Sequence, residues 1–284
     1  MSMDYSDFPK TDTFFSGSEK KIGISIGGTE WILKFQYRDP MKIGYNHVSE
    51  YIGSHIFRLL GFEVQDTELG VYKGEQVVAC RNFIRRGCHF VPFNDVGEST
   101  LEQDKERFRY TYDDIMKMLR LNSKLTDVDE TVHSFWDIFI VDALLGNFDR
   151  HGANWGFLKE NGAYRLAPVF DNGSCLYPQM VDEDIMRAVM ESDEQTRERV
   201  FRFPNSQIRM GNEKSSYYDV ISGLGFSECN DALMRIFPRI DLETINAIID
   251  GIDCITEVHK AFYRHMIKAR YEMILADSYR RLTE

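Results

Sequence analysis

Residues 146–154 read GNFDRHGAN, and they directly follow the largely apolar run Phe139–Leu145. The run predicts a buried helix, yet an Asp, an Arg, a His and two Asn are crowded into the nine positions after it. Such groups oppose burial. A surface loop would explain the polarity but not this choice of residues. The pattern suggests that Asp149 and Asn154 lie together because they share a metal ion.

Length and composition describe an ordinary globular chain. Its 284 residues are 43% hydrophobic and 28% charged, which allows one bilobed domain or two small ones. Five scattered cysteines without a C-x-x-C pair indicate reduced thiols, and the first residues contain no apolar signal segment, so a cytoplasmic location is expected. The net charge of −11 and the absence of a long apolar run argue against direct nucleic-acid binding and against a membrane partner.

Hydrophobic periodicity divides the chain into two unequal parts. In the first part we predict hairpins over 21–35 and 69–80, turning at Gly27-Gly28 and Lys73-Gly74, and a helix over about 46–60. The second part is predicted to be helical over 112–121 and 132–145, to form a hairpin around Asn161-Gly162, and to be mostly helical beyond residue 181. This order predicts an α+β, two-lobed fold with a cleft between a small β-rich N-lobe and a larger α-helical C-lobe.

The domain boundary is predicted at residue 86. Residues 1–86 would contain the phosphate loop, the sheet, one helix and the hinge, and residues 87–284 would contain the catalytic and metal-binding loops.

The polar residues fit phosphoryl transfer from ATP. That reaction needs a carboxylate near the attacking hydroxyl, oxygen ligands for Mg²⁺ and a lysine on the phosphates. Asp149 and Asn154 have the Asp-to-Asn spacing of a kinase catalytic loop, and Asp171 follows the next hairpin, where a second metal carboxylate belongs. Lys34 is a charge within the apolar strand WILKF, and Glu50 on the next helix is its natural ion-pair partner.

The order Asp-Arg-His-x-x-Asn resembles the phosphatidylinositol-kinase branch and, more closely, the bacterial HipA-like serine/threonine kinases. The resemblance extends from about Phe14 to Leu176. It rests on the blocks SGSEKK, WILKF, SEYIGSHIFRLLG, VVACRNF, LLGNFDRHGANWGFL and YRLAPVFDNGS. The last two blocks are specific in combination, and the others support them.

The resemblance implies a protein-kinase-like fold with ATP in the cleft between the lobes, and a role for each candidate residue. Asp149 would be the catalytic base, Asn154 and Asp171 would bind Mg²⁺, and Lys34 would hold the phosphates with His151 beside them. The remaining ATP contacts would come from the phosphate loop and the hinge, namely Ser16, Gly17, Ser18, Glu19, Lys20, Lys21, Arg81, Asn82 and Phe83. Relatives carry a regulatory serine in the phosphate loop, so autophosphorylation is expected at Ser16 and Ser18.

Three features depart from the family pattern. Arg81 stands at the hinge where many relatives carry an acidic residue, and the phosphate loop has a single glycine, Gly17. The extra N-terminal subdomain of the full-length toxins is not expected, because the phosphate loop falls within the first twenty residues. The sequence therefore resembles a short, kinase-core form.

Several alternatives remain open from the residues alone. Asp149 and Arg150 could form a loop ion pair with Asn154 as a turn residue, and Lys34 could protect a sheet edge. Glu50 points away from the aliphatic stripe of an ideal helix, so only a helix packed on both faces would direct it at Lys34. The protein could also be a lipid or small-molecule kinase, or an inactive nucleotide-binding module.

The preferred interpretation is an ATP- and Mg²⁺-dependent serine/threonine protein kinase. By resemblance it would be the toxin of a toxin–antitoxin pair, acting on a cytoplasmic protein such as an aminoacyl-tRNA synthetase. Its partners would then be a protein substrate and either a small DNA-binding antitoxin or a separate polypeptide supplying the N-terminal subdomain.

Overall fold

A computed structural model describes residues 3–13, 15, 20–95, 111–121 and 127–284. The strands are β1 (Met3–Asp4), β2 (Lys21–Ile26), β3 (Thr29–Phe35), β4 (Arg38–Asp39), β5 (Lys42–Ile43), β6 (Thr67–Tyr72), β7 (Glu75–Arg81), β8 (His89–Pro92), β9 (Gly156–Glu160), β10 (Ala163–Leu166), β11 (Asn205–Met210) and β12 (Glu213–Ser216). The α-helices are α1 (Asn46–Leu59), α2 (Tyr112–Leu121), α3 (Val128–Leu145), α4 (Glu183–Glu191), α5 (Asp193–Phe201), α6 (Tyr217–Ser222), α7 (Ser227–Ile236), α8 (Leu242–Asp250), α9 (Glu257–Arg270) and α10 (Asp277–Thr283). A short 3₁₀ helix spans Phe237–Arg239, and a π-helical segment, Tyr271–Ala276, joins α9 to α10.

The small lobe is built on a five-stranded sheet in the order β1-β6-β7-β3-β2. Its two hairpins turn at Gly27-Gly28 and Lys73-Gly74, and all four of these residues have positive φ. Two successive left-handed residues define the turn that matches the twist of paired strands. Both predicted hairpins of this lobe are therefore confirmed.

Helix α1 connects the two halves of the molecule. Its apolar residues Val48, Ile52, Ile56 and Phe57 are fully buried and belong to the same hydrophobic cluster as the helices of the large lobe. The sheet has a separate, smaller cluster. Gly61, with φ of +89°, follows the helix as predicted, because a left-handed residue ends a helix without a Cβ clash.

Helix α3 is the central helix of the large lobe. Asp127 caps its first turn by accepting a hydrogen bond from the Glu130 amide, so the helix starts four residues before the predicted Val132. It ends at Gly146, which has φ of +62° and donates its N–H to the Asp142 carbonyl. The left-handed Gly146 turns the chain directly into the polar loop that follows.

The predicted hairpin around Asn161-Gly162 is present as β9 and β10. Strand β8 completes this sheet in the order β10-β9-β8. The prediction that residues beyond 181 are mostly helical overlooked the β11–β12 hairpin. The signal was the alternation Ser206, Ile208, Met210 before Gly211, where the first two side chains are buried.

The structure confirms the predicted fold class of a small β-rich lobe and a larger helical lobe. The domain boundary at residue 86 stays a prediction. Among the residues that the structure describes, no helix has the length and apolar character needed to span a bilayer.

Candidate active site

A buried lysine lies between two carboxylates where the lobes meet. Lys34 Nζ is 2.7 Å from Glu50 Oε2 and 2.9 Å from Asp171 Oδ1. Lys34 is only 8% exposed and Glu50 only 1%. Burial opposes the charge of Lys34, but Asp171 and Glu50 raise its pKa well above 10.5. The lysine is therefore held as a cation at this position.

The position of Lys34 follows from the sheet. Strand β3 is an interior strand between β7 and β2, so the alternative of an edge-protecting lysine is wrong. In the β2–β3 register Lys21 lies directly opposite Lys34, and the positive charge of Lys21 also lowers the pKa of Asp171. Like charges at directly paired positions are unfavourable unless anions neutralise them. Two paired lysines suit a site that receives a polyanion.

Glu50 reaches Lys34 because α1 is buried on more than one face. The buried residues of this helix include Ser49, Glu50 and Ser54 in addition to its apolar stripe. Glu50 Oε1 also accepts a hydrogen bond from the Asn172 amide at 3.0 Å. A Cβ at Gly53 would lie 2.6 Å from the Cβ of Asn172, so the glycine permits this close approach. Helix α1 is therefore packed on both faces, which is the condition under which Glu50 was expected to reach Lys34.

The polar loop after α3 is held by its own backbone and amide groups. The Asp149 amide donates to Asn147 Oδ1 at 3.0 Å, and Asn154 Nδ2 donates to the Asp149 carbonyl at 2.8 Å. Asn154 is thus both a loop-closing residue and a neighbour of Asp149. Its amide oxygen has no hydrogen-bond partner among the residues that the structure describes.

Arg150 joins this loop to the segment that carries Asp171. It is 8% exposed and pairs with Asp142 at 2.9 and 3.0 Å, so the alternative of an Asp149–Arg150 ion pair is wrong. It also donates to Asn172 Oδ1 at 2.5 Å and to the Phe170 carbonyl. These bonds fix the residues on both sides of Asp171.

Asp149 itself is accessible, with 45% of its side chain exposed. Partial burial raises the pKa of its carboxyl above 3.8, and the charge of Asp171 adds to this rise, while His151 and Lys214 oppose it. The His151 Nε2 atom lies 3.8 Å from Asp149 Oδ1, and His151 Nδ1 accepts from the Ala153 amide. His151 is therefore placed beside Asp149, and the structure shows no contact between it and Lys34.

Asp171 has the features of a cation ligand. It has φ of +58°, an unusual backbone conformation for a residue other than glycine, and 35% of its side chain is exposed. The Lys34 ammonium lowers the pKa of Asp171 below 3.8, against the effect of burial. No cluster of three His, Cys, Asp or Glu side chains occurs in the described part of the chain. Mg²⁺ needs none, because it is usually bound by one or two carboxylates together with substrate phosphates.

The hinge offers fewer free backbone groups than the sequence suggested. The Arg81 amide and carbonyl already bond to the Asp66 carbonyl and Gln65 Nε2, and the Asn82 amide bonds to the Glu30 carbonyl. Within the described residues, the Asn82 carbonyl and the Phe83 amide have no backbone partner. An adenine at this hinge would therefore meet Asn82 and Phe83, and Arg81 only through its side chain.

Part of the predicted phosphate loop, namely Ser16, Gly17, Ser18 and Glu19, lies outside the described residues. At the start of β2, Lys20 Nζ is 2.6 Å from Glu75 Oε1 and 4.0 Å from the centre of the Phe35 ring. Lys20 is thus engaged away from Asp171. Of the two loop lysines, Lys21 is the one whose charge acts on the site.

Three residues that contribute to the site were not predicted from the sequence. Asp142 and Asn172 hold Arg150, and Lys214 in β12 is close enough to lower the pKa of Asp149. Asp142 could have been recognised as the single charge in the apolar run that precedes the loop. Lys214 gave no such signal, because nothing local in the sequence relates the β11–β12 hairpin to Asp149.

The fold and this site together define a kinase: a β-rich lobe presents a buried lysine to two carboxylates, and the helical lobe presents an Asp-x₄-Asn loop beside them. Residues 13–227 match the family model described as HipA-like C-terminal domain. The chain belongs to this family.

Individual relatives agree with this assignment. The serine/threonine-protein kinase CtkA of Helicobacter pylori is 37% identical over 278 residues, which cover 95% of this chain and 85% of that protein. A crystal structure described as a Helicobacter pylori proinflammatory kinase CtkA superimposes with a TM-score of 0.92 at 33% identity, covering 100% of this chain and 98% of the other. A chain of the Shewanella oneidensis complex of HipA, HipB and operator DNA matches with a TM-score of 0.60 at 18% identity, covering 99% and 67%. The predicted HipA-like kinase and its two-lobed fold are confirmed.

Proposed function

We propose that the protein transfers the γ-phosphate of ATP to serine or threonine residues of a protein substrate, with Mg²⁺ as its cofactor. The observation that carries this proposal is the arrangement of Lys34 between Glu50 and Asp171 with the Asp149 loop beside it. The name of the relative at 37% identity supports serine and threonine as acceptors.

Each residue then has a defined task. Lys34, fixed as a cation by Glu50, binds the phosphates of ATP, and Lys21 adds a second positive charge. The acceptor hydroxyl attacks the γ-phosphorus, so that a new P–O bond forms, the bond to the β-phosphate oxygen breaks and ADP leaves. Asp149 accepts the hydroxyl proton, and the raised pKa of its carboxyl makes it a stronger proton acceptor than an ordinary aspartate.

The residues present fit a magnesium ion. Asp171 uses Oδ1 for Lys34 and retains Oδ2, and Asn154 retains its amide oxygen. Both are the hard oxygen ligands that Mg²⁺ prefers. When bound, Mg²⁺ would neutralise the charge on the phosphates and help to hold them in line with the acceptor.

The proposal is tested by replacing Asp149 with asparagine, which preserves shape but cannot accept the proton. Asp149→Asn should retain a thermal shift with Mg·ATP and lose phosphoryl transfer by about 10²-fold or more. The exposed Asp231 on α7 gives a matched control, because Asp231→Asn makes the same chemical change away from the site.

An unchanged turnover rate in Asp149→Asn would remove this residue from the mechanism. A wild-type protein that shows no thermal shift with Mg·ATP would contradict the kinase proposal itself. Phosphate transferred to lipids or small molecules and never to protein would favour the alternative substrate class.

We further propose a cytoplasmic toxin that acts on a protein such as an aminoacyl-tRNA synthetase. The family supports this, as does the structural match to a HipA chain crystallised with HipB and operator DNA. A small DNA-binding antitoxin or a polypeptide supplying an N-terminal subdomain would be its partner. Phosphoproteomics after brief expression, compared with Asp149→Asn, would identify the substrate. Normal growth during expression of the active enzyme would contradict the toxin role.

Autophosphorylation at Ser16 and Ser18 is also proposed. A phosphoserine carries about −1.5 to −2 charges and would compete with ATP for Lys21 and Lys34. Peptide mapping by mass spectrometry should find phosphate on one of these serines after incubation with Mg·ATP, and none in Asp149→Asn. Phosphate found only at other positions would contradict this part of the proposal.

A further inference from the structure

A cavity of about 510 Å³ opens beside the catalytic loop on the large lobe. We call it the acceptor pocket, and define it by the residues that line it, namely Phe148, Tyr177, Pro178, Gln179, Met180, Glu198, Arg199 and Phe203. Its volume is in the range of ligand-binding clefts and exceeds that of any single side chain. It can therefore hold one large side chain together with the adjoining backbone.

The acceptor pocket is immediately next to the proposed proton acceptor. Phe148 precedes Asp149 in the chain, and consecutive Cα atoms are about 3.8 Å apart. The Phe148 ring stacks on that of Phe203 with centroids 5.8 Å apart, and its carbonyl accepts a hydrogen bond from Gln207 Nε2 at 2.6 Å. One wall of the pocket is therefore a single residue away from the group that would meet the substrate hydroxyl, within reach of a residue that flanks the acceptor.

The backbone of one wall is held in a strained conformation. Leu176 and Tyr177 both have φ of +55°, a conformation that non-glycine residues rarely adopt. The Leu176 amide is fixed by the Leu145 carbonyl at 3.0 Å, and the Tyr177 hydroxyl donates to the Arg199 carbonyl at 2.6 Å. Strain that the surroundings maintain in this way is concentrated at ligand-binding sites. Here it sets the position of the Tyr177 ring.

The pocket presents unusual apolar surface to solvent. Phe203 is 50% exposed, and it lies opposite Phe148 and Tyr177 instead of packing into the core. A large aromatic residue that is half exposed in a concave site favours binding of apolar groups. The occupant that these walls suit is a large apolar side chain.

The surroundings of the pocket are acidic. Residues 179–203 contain seven Asp and Glu against four Arg. Glu198 is exposed and has no ion-pair partner in the described part of the chain. Arg199 also lines the pocket, but its guanidinium is directed to the Gln195 carbonyl of its own helix, and the segment as a whole keeps an excess of negative charge. This charge favours a basic substrate segment over an acidic one.

We propose that the acceptor pocket selects the protein substrate. It binds a large apolar side chain within two residues of the serine or threonine that is phosphorylated, in a segment that also carries lysine or arginine near Glu198. This inference rests on the proposed kinase function and names the substrate class that the same site accepts.

The test uses serine-centred peptide libraries in which each flanking position is fixed in turn, with Mg·[γ-³²P]ATP and the full chain. The wild type should prefer Leu, Met or Phe over Ser or Asp by about tenfold at one position within two residues of the acceptor, the selectivity typical of a hydrophobic pocket. It should also prefer Lys or Arg at a nearby position.

Variants of the pocket should change these ratios in defined directions. Phe203→Ala should reduce the apolar preference about fivefold or more, and Phe203→Leu should restore most of it. Glu198→Lys should reverse the charge preference. Ile185→Ala and Glu191→Lys are the matched controls. Ile185 is 45% exposed, Glu191 is exposed at the end of α4, and neither lines the pocket.

Four outcomes decide between the proposals. Ratios that shift in the pocket variants and not in the controls support the inference. Labelling without an apolar preference in the wild type overturns it while leaving the kinase function intact, and so does a preference that survives in Phe203→Ala. If the wild type labels neither the libraries nor the proteins of a cell extract, the proposed kinase function is contradicted, and so is the inference about the pocket, which rests on it.

Discussion

Replacing Arg150 with methionine tests whether the two loops of the site are held together by one buried charge. Methionine has a similar length but no donor, so Arg150→Met removes both bonds to Asp142 and those to Asn172 and the Phe170 carbonyl. Asp142 is 1% exposed. Among the residues that the structure describes, its carboxylate would keep only the hydrogen bond from Asn147 Nδ2 at 2.9 Å.

The expected loss is large because a buried anion is left without its cation. Removing one partner of a buried ion pair costs about 3–5 kcal/mol. Unfolding entropy scales with chain length at about 2.1 cal/mol/K per residue, which for this chain gives about 0.6 kcal/mol per degree. The thermal midpoint of Arg150→Met should therefore fall by about 5–8 °C.

A double variant separates the lost pair from lost packing. In Arg150→Met combined with Asp142→Asn the orphaned charge is gone, so most of the loss should be recovered. Differential scanning calorimetry of the wild type, both single variants and the double variant gives the coupling between the two residues. A midpoint of Arg150→Met within about 2 °C of the wild type would refute the reasoning, as would a double variant less stable than Arg150→Met.

Two further predictions concern charge and pH. Asp171→Ala should weaken the dependence of nucleotide affinity on Mg²⁺, measured by calorimetric titration with and without the ion, since it removes the carboxylate of the two proposed ligands. An unchanged dependence would exclude Asp171 as a ligand. Burial lowers the pKa of His47 from 6.5 to about 4, so its contribution to stability is complete above pH 6.5 and is lost as the pH falls toward 4. Between pH 7 and pH 5 the loss in the free energy of unfolding is about 2 kcal/mol, or about 3 °C in the thermal midpoint. His47→Gln, which can still donate to Gln76, should show a smaller difference between its midpoints at pH 7 and pH 5 than the wild type does. Equal differences in the two proteins would contradict a buried neutral His47.

The sequence predicted elements whose signals are local. Each hairpin that was predicted is marked by a dipeptide such as Asn161-Gly162, which adopts the positive φ values that its turn requires. Residues of the site were found where a charge interrupts an apolar pattern, as with Lys34, or follows a family motif, as with Asp171. These signals need no knowledge of the tertiary structure.

What the sequence did not predict depends on contacts between distant segments. Arg150 pairs with Asp142 and not with Asp149, because the chain folds back after α3 and buries Arg150 against Asp142. Glu50 reaches Lys34 because α1 is packed on several faces. The acceptor pocket joins residues 148, 177–180 and 198–203. Their proximity is a property of the fold, and nothing local in the sequence indicates it.

The packing of α1 has a mechanical consequence. Although α1 lies in the chain between strands of the small lobe, its apolar residues belong to the large-lobe cluster, and Asn172 is bonded to both Glu50 and Ser54. Moving α1 away from the large lobe would expose this core and break both hydrogen bonds to Asn172. The helix therefore keeps Glu50, and with it the Lys34 ammonium, at a constant position relative to the segment that carries Asp171.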